Sequence, residues 1–338
     1  DKYGIRRLPD GSVTGAPLLS DDEFNHSLGE MRIRFIQEIV YWCALDYMYT
    51  GNTSNIPRVI DALDHALDQG FAYGSGQGTN HHYGYRVRDL YKGVWILRKE
   101  LAKSGKLEGY VKALTYWSGL QEVRMPYEQT RDGILDAWHT LHNAKVISAM
   151  LQSDDDKRYA AMMALGKWTS GSLSYTDGTL GGIKVDGTSF HHGGHYPGYS
   201  VGAFGVLGDY CWFTKDTDFA IDEPARRVFK HTLMTLLDYC NLRDWGVGVC
   251  GRHPFNGAIP EKDVEAFARL ALLGDLTGSG QSADPELGGA FLLLAGKDKN
   301  LQTAMKQAGI RPLTHKEGFR VYNYGGFGIH RRGDWMIT

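Results

Sequence analysis

Little in this chain is present in excess. Four cysteines, Cys43, Cys211, Cys240 and Cys250, are scattered over 338 residues without CxxC spacing. Neither a dense disulfide framework nor a paired-cysteine zinc site is therefore written into the sequence. Cys240 and Cys250 are near enough to pair, but their helix-like surroundings favour buried free thiols. No run is long and apolar enough to cross a membrane. Charge of one sign is lacking too: 37 basic residues face 39 acidic ones, for a net charge of -2. A polyanionic partner thus cannot be read from overall charge, and any positive surface has to be local. The absence of a basic run or an aromatic-interleaved ribbon argues against nucleic acid. There is no HExxH, no clean internal repeat and no initiator methionine. The opening Asp1-Lys2-Tyr3 is not a signal peptide and reads as the middle of a longer or processed chain.

What is there fits an α-rich protein. The composition, 42% hydrophobic and 22% charged, is that of a globular chain with a large core. Between Met31 and Met48, the residues Ile36, Ile39, Val40, Cys43 and Tyr47 recur at three- and four-residue steps, as on one helix face. Ile56-Pro57 opens a second helix that runs through Leu67 and is stopped by Gly70. Further helices are expected over 85–104, 107–120, 131–151, 155–170, 197–214, 223–241 and 261–275. Many are strongly apolar and joined by short turns, as in successive antiparallel pairs. Near the end, Phe319–Tyr324 and Phe327–His330 alternate on either side of Gly325-Gly326, the pattern of a β-hairpin. Three irregular stretches interrupt the helices: 74–82, 177–199 and 243–260. Each is glycine-rich and brings histidine near aromatics, and loops of this length inside a compact domain usually carry function.

The densest stretch is Asp186-Gly187-Thr188-Ser189-Phe190-His191-His192-Gly193-Gly194-His195-Tyr196-Pro197-Gly198-Tyr199. Tyr199 falls at the start of an expected helix, where the positive dipole end favours a phenolate. His192, seven residues earlier across a glycine-rich turn, can fold back beside it. Breaking a glycosidic bond next to a uronate carboxylate, by C5 proton removal and expulsion of the O4 leaving group, is one chemistry such a pair could serve; by composition alone the three stretches say a polar cleft in an α-rich domain and little more. Tyrosine can act as both acid and base once nearby positive charge lowers its pKa. Histidine adds a second acid or base near neutral pH, and an arginine adds charge that never titrates. Arg252, His253 and Asn256 stand in the third stretch; Asn80, His81 and His82 stand in the first. Each residue also has a plainer reading. His191, His192 and His195 could bind zinc, although no accompanying motif supports a metal. Trp138, in Asp136-Ala137-Trp138-His139, reads first as core, with a ring that could stack on a sugar. His142 reads as structural.

At these stretches the sequence resembles the polysaccharide lyase family of chondroitin and hyaluronan lyases, closest to its broad-specificity chondroitin ABC branch. The resemblance is carried by Asp186-Gly187-Thr188 leading to His192, then Tyr196-Pro197-Gly198-Tyr199. Gly251-Arg252-His253-Pro254-Phe255-Asn256, His81-His82 with Gly84-Tyr85, and Gly325-Gly326-Phe327-Gly328-Ile329-His330-Arg331 complete it, in the family's order. It implies a mainly α fold: an incomplete α/α toroid of helical hairpins over 1–312, with 313–338 as the first strands of a truncated β-sandwich. It implies cleavage of chondroitin and dermatan sulfates by β-elimination, leaving 4,5-unsaturated uronate ends. Tyr199 would be the general acid and, for glucuronate, the base; His192 would assist at the uronate and Arg252 would hold the tyrosine and leaving oxygen. His82 matches the histidine that removes the iduronate proton from the opposite ring face. His81, Asn80, His191, His253, Asn256 and Trp138 are the expected substrate contacts.

The family's constellation also includes a glutamate from the β-domain, to which no residue here is assigned. The Asn-Trp-Trp segment of the chondroitin AC and hyaluronan members is lacking, which favours the ABC branch. The resemblance implies an acidic glycosaminoglycan partner, a monomer, and export to the periplasm or outside the cell. No cofactor is expected to be required, although a divalent cation such as Ca or Mg is compatible. Two other functions remain open at this point: a glycoside hydrolase on a similar toroid, for which Asp186, Asp244 and Glu261 are the candidate carboxylates, and a non-catalytic glycosaminoglycan-binding scaffold.

Overall fold

The structure, a computed structural model, describes residues 3–18, 33–76, 80–128, 133–250 and 257–338, with the side chains of Asn80, His81 and His82 excepted. It is mainly α-helical, with small antiparallel sheets. The chain forms two compact units: Asp1–Met125 with Thr140–Leu165, and Pro126–His139 with Gly166–Thr338.

In the first unit a short hairpin, β1 (Arg6–Arg7) and β2 (Val13–Thr14), precedes α1 (Ile33–Thr50), α2 (Ile56–Asp68), α3 (Asn80–Lys103), α4 (Leu107–Trp117) and α5 (His142–Met150). The expected apolar face of α1 is the one that is buried: Ile36, Ile39, Val40 and Cys43 pack into one core with Val87, Leu90, Val94 and Leu97 of α3. Those α3 residues recur at three- and four-residue steps, so one stripe meets another. Pro57 in the first turn of α2 gives up no hydrogen bond there, because first-turn amides have no partner within the helix. Lys145, fully buried, donates to the Ser118 and Gly119 carbonyls at 2.6 and 3.1 Å, satisfying buried acceptors at the end of α4.

Helix α6 (Asp155–Ser172) follows in the chain, and the second unit holds the three-stranded sheet β3 (Gly182–Ile183), β4 (Ser189–His191) and β5 (Gly194–His195). Then come α7 (Pro197–Thr214), α8 (Glu223–Asp238), α9 (Glu261–Ala271), α10 (Pro285–Leu293) and α11 (Lys299–Gln307). Asp222, Asp284 and Asp298 cap α8, α10 and α11 by accepting backbone amides of the first turn. Helix α7 coincides with its expected span and is buried on most sides, from Val201 and Phe204 through Leu207 to Tyr210 and Cys211. The hairpin of β6 (Gly318–Tyr322) and β7 (Phe327–Arg332) is extended by β8 (Trp335–Ile337). It is fastened to α8 by Asp238, which accepts from both Arg320 and Tyr322. All four cysteines are buried free thiols.

Three expectations are corrected. The stretch 74–82 is not a loop throughout, because α3 begins at Asn80 and carries His81 and His82 in its first turn. The helix expected over 131–151 is broken: a short α-turn at Ile134–Asp136 passes into a π-helical turn, Ala137–Leu141, before α5 begins. Helices α10 and α11 were not expected at all. No helix among the described residues is long and apolar enough to cross a membrane.

His142 is wholly buried, and burial, reinforced by Lys145, pushes its pKa down from 6.5 to about 3. The unfolded chain therefore takes up a proton in this window that the native chain refuses. Stability is full above pH 6.5 and falls as the pH drops towards 3, by up to about 1.4 kcal/mol per pH unit from this one group. Urea midpoints measured from pH 7 to pH 4.5 should fall in the native chain and fall less steeply in His142→Gln.

Candidate active site

The turn that ends β4 is two residues long. His191 pairs with Gly194 and Phe190 with His195, leaving only His192 and Gly193 at the tip. Both are left-handed, with φ of 55° and 77°. This is the type I′ signature, in which backbone twist matches the twist of the paired strands. Asparagine is the usual first residue of such a turn, so a histidine held in this conformation is a deviation that invites a functional explanation.

The turn lifts His192 into solvent while the preceding residue, His191, is buried, at 3% exposure. Two residues after β5, Pro197 begins α7 and Tyr199 falls on its first turn, half-buried. Amides in that turn carry partial positive charge with no carbonyl partner inside the helix. The rings converge. His192 and Tyr199 lie 5.7 Å apart, edge to face, and His191 packs 3.8 Å from His192 and 4.4 Å from Tyr199. Tyr196 closes the cluster at 4.7 Å from Tyr199.

Two arrangements behind the turn hold it. Asp186 accepts from the amide and hydroxyl of Thr188 at 3.1 and 2.6 Å, and from the amide of Tyr324 at 2.8 Å. The Asp-Gly-Thr motif is thus a joint between the loop before β4 and the β6–β7 connection. Lys184, fully buried, donates to the Leu180 carbonyl at 2.6 Å and the Thr176 hydroxyl at 2.9 Å, and its ammonium lies 4.7 Å from the Phe190 ring centre. A buried ammonium is tolerable only with such partners, so this cation fixes the strand that leads to His191.

The remaining sequence candidates divide three ways. Arg252, His253 and Asn256 lie outside the described residues, and so do the side chains of Asn80, His81 and His82. Trp138 is wholly buried and donates its indole N–H to the Ser172 hydroxyl at 3.0 Å, which leaves no ring face for a sugar. His191 is likewise too deeply buried to be a polymer contact, and its Nε2 lies 3.2 Å from Asp136, itself buried. Both residues expected as substrate contacts are thus buried in this structure. His195 turns away from the cluster: it stacks on Phe327 and approaches the Tyr239 hydroxyl, and burial pushes its pKa down to about 4. Among the described residues no group of three or more histidines, cysteines or carboxylates is placed to hold a metal ion.

Two of the three carboxylates a hydrolase would use, Asp186 and Glu261, are occupied elsewhere. Asp186 serves the joint just described. Glu261 is paired with Arg243 and Lys297 at 2.7 and 3.1 Å, and those hydrogen bonds hold it below the usual carboxylate range, the wrong direction for a general acid. Asp136 had been given no role. A single acid inside the apolar run Ile134-Leu135-Asp136-Ala137-Trp138 was the signal that a buried, partnered carboxylate lay there.

A family model described as "Lyase, catalytic" matches residues 2–301. The chain is 30% identical to the chondroitin sulfate ABC endolyase of Proteus vulgaris, over 81% of this chain and 26% of that protein. It is 27% identical to the chondroitin sulfate ABC exolyase of Bacteroides thetaiotaomicron, over 100% of this chain and 37% of that protein. The chain therefore spans about a quarter to just over a third of these relatives. Among solved structures, the chondroitin AC lyase of Streptomyces coelicolor A3 in complex with chondroitin sulphate matches with a TM-score of 0.65 at 13% identity, over 89% of this chain and 44% of that one. A Paenibacillus xanthan lyase matches with a TM-score of 0.63 at 17% identity, over 89% and 30%. These neighbours have the α/α toroid fold, in agreement with the expected fold class.

The tip geometry separates the fold from the imidazole. His192→Asn should preserve the turn and change unfolding free energy by less than about 0.5 kcal/mol. His192→Val should cost about 1–2 kcal/mol, because a β-branched side chain resists the left-handed conformation. Urea denaturation of the two variants checks this.

Proposed function

Because the chain belongs to the lyase catalytic-domain family, we propose that it provides the helical catalytic part of an enzyme that cleaves chondroitin and dermatan sulfates by β-elimination. The observation that carries this reading is the pairing of a solvent-exposed His192 with a half-buried Tyr199 on a helix N-terminus, their rings 5.7 Å apart. The relatives whose names specify chondroitin sulfate ABC lyases support the substrate class.

In this reading the uronate C5 proton is taken by the Tyr199 phenolate for glucuronate. The electron pair left at C5 forms the C4–C5 double bond as the C4–O4 bond breaks, and the tyrosine returns its proton to the departing oxygen. His192 acts at the uronate, where lowering the cost of charge on the carboxylate makes the C5 proton removable. Arg252 supplies fixed positive charge to the tyrosine and the leaving oxygen. His82 is assigned the proton of iduronate, which points to the opposite face of the ring. Asn80, His81, His253 and Asn256 are assigned to holding the polymer. A chain working on an extracellular polymer belongs outside the cytoplasm, and export is part of the same proposal. No cofactor is required for these steps.

The test is product chemistry with the full-length protein. Chondroitin and dermatan sulfates should both yield far-ultraviolet-absorbing unsaturated ends, whereas saturated products would replace this reading with hydrolysis. Tyr199→Phe should lower turnover on both polymers by at least about a hundredfold. His82→Ala should spare chondroitin and depress dermatan cleavage; equal loss on the two would refute the two-base arrangement.

A further inference from the structure

His191 lies between two things that it does not resemble. On one side its Nε2 faces the Asp136 carboxylate at 3.2 Å; on the other its ring packs against His192 and Tyr199 at 3.8 and 4.4 Å. Both members of the Asp136–His191 pair are buried, at 3% exposure each. A carboxylate in such a place is costly unless a partner bears a proton towards it.

The chain makes a special effort to put Asp136 there. The regular helix ends at Asp136 and gives way to the π-helical turn Ala137–Leu141, a distortion that is rare and concentrated at functional sites. Anchors on this turn hold it. The Trp138 indole is bonded to Ser172, whose own hydroxyl donates to the Thr169 carbonyl. His139 lies against Gly202 of α7 so closely that a Cβ at 202 would come within 2.6 Å of its Nε2. Gly202 is one turn beyond Tyr199. The helix that presents the tyrosine and the turn that presents the carboxylate are thereby packed without slack between them.

We propose that Asp136 and His191 are a buried positioning dyad for the His192–Tyr199 pair, an assignment that rests on the lyase reading. The Asp136 carboxylate lies 3.2 Å from Nε2 without completing a hydrogen bond to it, and fixes the place of that ring by charge and close packing. The two outer rings take their orientation from it. Neither dyad residue touches substrate, and their effect is on how the reacting groups are aimed.

The experiment uses the full-length protein and the variants Asp136→Asn, His191→Phe and the double variant. Each single change should lower kcat by about tenfold to a hundredfold, the range that loss of a supporting partner costs at other sites, with KM within about threefold of the native value. The double variant should be no slower than the worse single one, because the two residues act through one contact. Multiplying losses in the double variant, or losses in KM alone, would overturn the dyad. Nitrogen-15 spectra of the histidine rings give a readout independent of turnover: Asp136→Asn should disturb the ring signals of His191 and those of His192. Unchanged ring signals would overturn the proposal even if the protein forms no unsaturated product, an outcome that would by itself remove only the lyase reading.

Discussion

The open face of the cluster rests on the imidazole of His191. It is buried, it faces a buried carboxylate, and the two rings that reach solvent pack against it at a tilt. Aromatic side chains at an exposed turn and at a helix end would otherwise sample several rotamers. Packing them on a fixed third ring removes that freedom before any ligand arrives, and pre-set orientation is worth more to proton transfer than added contacts.

The same economy runs through the scaffold around it. The β3–β5 sheet is too small to be stable alone, and what holds it is polar: the Lys184 ammonium in its cage of oxygens, and Asp186 joining the loop to the backbone of Tyr324. Helix α7 is supplied differently. It is apolar nearly all round, and small residues on it let its neighbours approach. A rigid helix thus carries the tyrosine, while a short, well-fastened hairpin carries the histidine.

Much of this was legible in the sequence, for identifiable reasons. Pro197 at a helix start and the long apolar run after it fixed the span of α7 and put Tyr199 in the first turn. The strict alternation of Phe319–Tyr322 gave the terminal hairpin. Where local signals were weak, the reading failed. Asn80, His81 and His82 follow a glycine-rich stretch, and nothing in their side chains announces that the helix has already begun. Helices α10 and α11 are only nine residues each, too short for a helical period to stand out. The π-helical turn has no sequence signature, since it depends on what α7 and Ser172 offer to residues 138 and 139. Nor could periodicity say which of two adjacent histidines faces inward; that depends on a hairpin register set by partners elsewhere in the chain.

The two-residue tip also ties chemistry to chain length. A third residue between His191 and Gly194 would turn the tight reversal into a bulged loop and swing the exposed imidazole off its axis. A relative with one more residue at this point could keep the histidine, the tyrosine and the strands around them and still have lost the alignment. In this part of the molecule an insertion is as consequential as a substitution, and a comparison of residue identities alone would not register it.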